Sequence, residues 1–146
     1  MEPLDLSKQP PRPCREALDG IAFLPRAVDK ARASLAGGSL GDYFVTRDDV
    51  RTLSGLFFRR LGISEADFTE WVASAAAEAG VAAKVRTVAD QATIDAWNVL
   101  LANIRVADVD PHTRGFLERA YGTGLDIEPD ELLIDVIERD DARSFA

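Results

Sequence analysis

The chain has 146 residues, with 17 basic against 25 acidic side chains and a formal charge of −8. That length fits one domain able to bury about two thirds of its unfolded surface, and that charge excludes a general nucleic-acid binder, which needs a net basic face to displace counterions. One cysteine, Cys14, and one histidine, His112, exclude a disulfide framework, a multi-cysteine zinc site and any site that needs two histidines.

The N-terminal stretch Met1 to Lys8 carries acids and lacks the basic start and apolar run of a signal peptide. No apolar run approaches the roughly 20 residues that cross a bilayer. The expectation is a cytoplasmic protein with no membrane partner. Pro3, Pro10, Pro11 and Pro13 remove backbone donors and favour extended geometry, so residues 1–22 read as an arm packed on the rest. A first helix starts at Pro25, with Leu24, Ala27, Val28, Ala31 and Leu35 on one face, and ends at Gly37-Gly38. Gly41 to Val45 reads as a short extended piece.

Thr46, with Asp49 three residues on, is the expected cap of a second helix whose face is Val50, Leu53, Phe57 and Leu61 and whose stop is Gly62. Phe57 and Phe58 are adjacent, which predicts that one of them faces a partner, such as a second copy in a homodimer. Ser64 and Asp67 cap a third helix carrying Phe68, Trp71, Val72, Ala75 and Ala79, closed by Gly80. Residues 81–89 fit a helical turn or two but are rich in valine. Asp90 caps a helix with Ile94, Trp97, Leu101 and Ile104 inward. Asp110-Pro111 starts another, with Phe116, Leu117, Ala120 and Tyr121, ended by Gly122. Glu128-Pro129 opens the last, with Leu132, Leu133, Val136 and Ile137 inward, and residues 138–146 form an acidic tail that frays. The fold class is all-α: a single domain over 1–146, a compact bundle of about six helices with little or no sheet.

Most chemical signals fail their own tests. His112 has only generic acidic neighbours and reads as a surface or capping residue. Residues 126–131 lack the glycine and closing glutamate of a calcium loop, and Gly37 to Gly41 lacks the ending of a phosphate loop. No metal and no cofactor are therefore expected. Cys14 lies beside Arg12 and Arg15, whose charge favours a thiolate.

A cluster of cations stands out instead. The first 36 residues hold six basic and five acidic side chains, and residues 108–146 hold four and eleven. Arg26 and Lys30 share a helix face. With Arg12 and Arg15 they form either an ion-pair network tying the arm to the bundle, or a pocket for a carboxylate or phosphate.

The same residues carry a family resemblance. Asp5-Leu6-Ser7-Lys8, Pro10-Pro11-Arg12-Pro13 with Arg15-Glu16, and Leu24-Pro25-Arg26 with Asp29 to Ala33 resemble the opening of an uncharacterised bacterial family, the domain-of-unknown-function family 5069. Gly41-Asp42-Tyr43, Ala96-Trp97-Asn98 and the stretch 135–143 are similar to it as well. The resemblance brings no activity. It points to the arm and first helix, with Tyr43 at the rim of any pocket they line.

Two readings of function follow. One is a non-enzymatic binding module whose anion site is Arg12, Arg15, Arg26, Lys30 and Tyr43, taking an anionic small molecule or an acidic protein segment. The other is a small-molecule enzyme using Cys14, Tyr43 or carboxylates on a helical scaffold.

Overall fold

The computed structural model describes residues 1–47, 51–121 and 126–146. Among these are seven α-helices: α1 (Leu24–Ser34), α2 (Leu53–Leu61), α3 (Glu65–Ser74), α4 (Glu78–Val88), α5 (Gln91–Asn103), α6 (Pro111–Tyr121) and α7 (Leu133–Ser144). A single 3-10 turn (Val106–Asp108) and a two-stranded hairpin, β1 (Ala17–Leu18) with β2 (Ile21–Ala22), complete the described elements. The expected mostly helical architecture is what forms. No helix is long and apolar enough to cross a membrane.

The arm is fixed along its length. Leu6 N–H donates to the Ser39 carbonyl at 2.8 Å and Ser39 N–H donates to that of Leu4 at 3.0 Å. Leu6, Pro11 and Cys14 are buried. The hairpin turns on Asp19 (φ 52°) and Gly20 (φ 75°), the paired left-handed geometry of a tight two-residue turn, for which Asp-Gly is suited. Residues 96–98 clamp this hairpin. Trp97 Nε1 donates to the Ala22 carbonyl at 2.8 Å, Asn98 Oδ1 accepts from Ala22 N–H at 3.0 Å, and Asn98 Nδ2 donates to the Gly20 carbonyl at 2.8 Å.

The core is aromatic. Phe57 lies 5.3 Å from Phe23, 5.5 Å from Trp97 and 6.2 Å from Phe68, centroid to centroid, and Phe58 lies 5.3 Å from Phe68. The division of labour expected of Phe57 and Phe58 is corrected here: both are buried, because α2 is flanked by α5 on one side and Phe68 of α3 on the other.

Several boundaries differ from the sequence expectation. Helix α2 starts at Leu53, capped by Thr52, whose Oγ1 accepts from Gly55 N–H at 3.0 Å; Thr46 instead gives its hydroxyl to Glu65. Residues 41–45 form a turn and bends, with no strand. Helix α3 stops at Ser74, before Gly80, and the Met1 nitrogen donates to the carbonyls of Val72, Ala73 and Ala75 at 2.9, 3.1 and 2.9 Å, acceptors that a helix C-terminus leaves free. Ala79 and Gly80 belong to α4, which makes 81–88 fully helical. Glu128-Pro129 does not open α7. The carbonyls of Pro129 and Glu131 accept from Ala107 and Val106 N–H at 2.9 Å, which holds that segment in a turn and a bend until Leu132. The C-terminal stretch is also corrected: α7 runs to Ser144 and buries Asp141. The expectations for Asp49, Val50 and Gly122, and for the side chains of Ala120 and Tyr121, lie outside the described residues.

Two glycines test this geometry in opposite directions. Gly41 has φ 57° and a Cβ there would stand 2.9 Å from the Leu6 carbonyl oxygen, whereas a Cβ on Gly80 meets nothing closer than 3.7 Å. Gly41→Ala is expected to destabilise by about 1–3 kcal/mol and Gly80→Ala to stabilise by about 0.5–1 kcal/mol, both read by chemical denaturation.

Candidate functional site

Helix α1 is buried on nearly every side, from Leu24 to Ala31. Three of its buried residues, Arg26, Asp29 and Lys30, are ionisable. Charge cannot be left bare inside a fold, so the surroundings of these three define the site.

Asp29 is answered by the arm. Arg12 Nε and Nη2 donate to its carboxylate at 3.0 and 2.9 Å, the Arg12 N–H adds a third bond at 2.8 Å, and the same guanidinium pairs with Glu78 of α4. Arg26 is answered by the C-terminal helix: its Nη1 donates to Asp141 Oδ2 at 2.7 Å, with a further bond to the Arg12 carbonyl at 3.2 Å. Tyr43 donates to the other Asp141 oxygen at 2.8 Å, and the Arg26 guanidinium lies 5.8 Å from the centre of its ring. Burial and that bond to Asp141 push the Tyr43 phenol above its ordinary range, which makes it a neutral donor. Arg15, half exposed, reaches Glu138 at 2.9 Å and pairs with Asp135, both on α7.

Lys30 differs from the rest. It is 8% exposed, and among the described residues its hydrogen-bond partner is a hydroxyl, Ser54 Oγ at 3.2 Å. Its Nζ also lies 5.7 Å from the centre of the Phe44 ring. No described carboxylate stands within ion-pair distance of it. Burial first, then the charge of Arg26 one turn away, bring its ammonium down to about 7.

Lys30 lies on the wall of a cleft of about 590 Å³ bounded by α1, residues 41–47 and 52–54, α6 and α7. Its polar lining includes Arg26, Lys30, Tyr43, Ser54, Thr113 and Asp141. Its apolar lining includes Phe44 and Phe116, 6.3 Å apart and tilted edge to face, with Arg47 at 4.7 Å from the Phe116 centroid. Of the five residues singled out in the sequence, the structure brings Arg26, Lys30 and Tyr43 into this cleft. Arg12 lines a separate shallow hollow with Asp29 and Glu78, and Arg15 is on the outside. Those two therefore form the brace between arm and bundle.

Cys14 takes no part in the lining. It is wholly buried, and burial pushes its thiol up, against the nearby charges of Arg26 and Lys30. The thiolate expected from Arg12 and Arg15 is not favoured, because those guanidinium groups turn to carboxylates. His112 is exposed. Among the described residues no three of His, Cys, Asp and Glu are grouped to hold a metal. Sequence reasoning passed over Ser54, Phe44 and Asp141. For Asp141 a signal existed: Ile134, Ile137 and Asp141 continue one helical stripe inward, through the charges taken for a tail.

The chain belongs to the family described as a domain of unknown function, DUF5069, whose model matches residues 8–143. No curated protein matches it.

The two kinds of ion pair predict different costs. Asp141→Ala leaves the Arg26 guanidinium buried with no counter-charge and is expected to destabilise by about 3–5 kcal/mol. Arg15→Ala, at a solvent-screened pair, is expected to cost less than about 1 kcal/mol. Urea titrations of both variants measure the contrast.

Proposed function

We propose that this DUF5069 chain binds a small anion in the cleft, with the Lys30 ammonium as its receptor. The observation that carries the reading is a charge imbalance. Arg26 and Lys30 are both buried on one face of α1, and Asp141 is the one buried carboxylate among the described residues facing them. Asp29 is taken up by Arg12. A carboxylate or phosphate group beside Lys30 and Ser54 restores neutrality.

The size of the cleft supports a small molecule over an acidic protein segment, since cavities of about 300–1,000 Å³ suit small ligands. Phe44 and Phe116 offer contact to an apolar body attached to the charge. The role is binding. Tyr43 is held by Asp141 as a donor, and Cys14 is shut away from the cleft, so neither supports the enzymatic alternative.

Anion binding and the Lys30 proton are coupled. Arg26, Cys14 and Asp141 are the charged and titratable groups that act on this amine, and burial pushes the Cys14 thiol up. The folded protein binds the Lys30 proton less readily than the unfolded chain, so stability rises with pH between about 7 and the ordinary lysine value of 10.5. Wild type is expected to gain on Lys30→Met by up to about 1.4 kcal/mol per pH unit across that window, measured by denaturation at stepped pH. A bound anion holds the proton on, so phosphate binding at pH 8 is expected to take protons from the buffer. Calorimetry in buffers of different ionisation enthalpy reads this directly.

Thermal unfolding in inorganic phosphate, against chloride at equal ionic strength, tests the reading itself. Phosphate is expected to raise the midpoint of wild type and leave that of Lys30→Met unmoved. Equal behaviour of the two proteins rejects it.

A further inference from the structure

Lys30 offers more than a charge. It is one of three lysines in the chain, and the other two, Lys8 and Lys84, are exposed. The residue lines a cleft wide enough for a ligand of several atoms, and its nitrogen bonds to a neutral hydroxyl and has no carboxylate among the described residues to keep it protonated. An amine so placed has its lone pair available, which is what a nucleophilic lysine requires.

The neighbours fit one ligand class. Arg26 lies one helical turn before Lys30 on the same face of α1. A 2-oxo acid carries its carboxylate on the atom next to the carbonyl carbon, so with the carbonyl at the Lys30 nitrogen the carboxylate lies toward Arg26, which shares its charge with Asp141. Phe44 and Phe116 leave an apolar wall for the remainder of the molecule.

We propose that Lys30 condenses with the carbonyl carbon of a small 2-oxo acid and holds it in the cleft as a reversible imine. The proposal rests on the anion-binding reading and names its ligand class. In the step, the amine lone pair forms a C–N bond and the carbonyl π bond breaks toward oxygen. The two hydrogens of the amine leave with that oxygen as one water, and the C=N bond closes. No atom is oxidised or reduced. Tyr43, held as a donor to Asp141, and Ser54 supply hydroxyl groups on the polar side of the cleft.

The test is reductive trapping. Full-length protein is incubated with pyruvate and sodium cyanoborohydride at pH 7, digested, and mapped by mass spectrometry, so that Lys8, Lys30 and Lys84 are read separately. The expected result is an adduct at Lys30 exceeding that at either exposed lysine by roughly ten-fold, since an exposed lysine is almost wholly protonated at that pH, and suppressed by inorganic phosphate. An adduct spread evenly over the three lysines, or absent at Lys30, overturns the imine. If phosphate still stabilises wild type in that case, the anion site stands and only its covalent chemistry is lost. If phosphate neither stabilises nor competes, both fail. The wild-type map needs no variant to fold.

Discussion

Everything in this structure is arranged around the burial of α1. A helix enclosed on nearly all sides normally carries an apolar sequence, yet this one buries Arg26, Asp29 and Lys30. Desolvating three ionisable groups costs several kcal/mol each unless partners are brought to them. The partners come from the two ends of the chain. Arg12 arrives from the arm to meet Asp29, and Asp141 arrives from α7 to meet Arg26. The arm and the last helix are thereby joined to each other as well, through Arg15 with Asp135 and Glu138. Two segments far apart in sequence thus neutralise Asp29 and Arg26 of α1.

Among the described residues the charge balance is one carboxylate short. Arg26 and Lys30 repel, and Asp141, shared with Tyr43, is spent on Arg26. The interior resolves this by weakening the hold of Lys30 on its proton, and the fold leaves the same nitrogen on the wall of a cleft. Among the described residues the network meets Lys30 with a hydroxyl, Ser54, and an aromatic face, Phe44, which stabilise a cation modestly.

Much of the fold was legible in the sequence because its helices announce themselves by short-range rules. Ser64, Asp90 and Asp110 cap where their hydroxyl or carboxylate can reach the N–H three residues on, and Gly62 stops α2 with φ 72°. What escaped was decided by contacts far apart in sequence. The carbonyls at the end of α3 meet the Met1 nitrogen, and the start of α7 is held by backbone pairing with residues 104–107. Thr46 has the pattern of a cap and is claimed by Glu65 instead. The site shows the same division. Spacing placed Arg26 and Lys30 on one face, but only packing could separate them from Arg12 and Arg15, since all four are cations near acids in the sequence. The charged run 138–143 looked solvated because its composition is polar, although its period matches the apolar stripe before it.

The uneven charge along the chain takes on a different meaning in this light. The acidic last quarter is, in part, the internal counter-charge of the basic first quarter, through Asp135, Glu138 and Asp141. A formal charge of −8 would repel anions at long range, but that field decays within about 8 Å at physiological salt. Inside the cleft the nearest charges decide, and there Lys30 has no described carboxylate within ion-pair distance, in a low-dielectric setting where each charge counts for more. On the proposed reading a molecule acidic as a whole receives an anion at one place: the overall charge slows approach, and the buried ammonium of Lys30 holds what arrives.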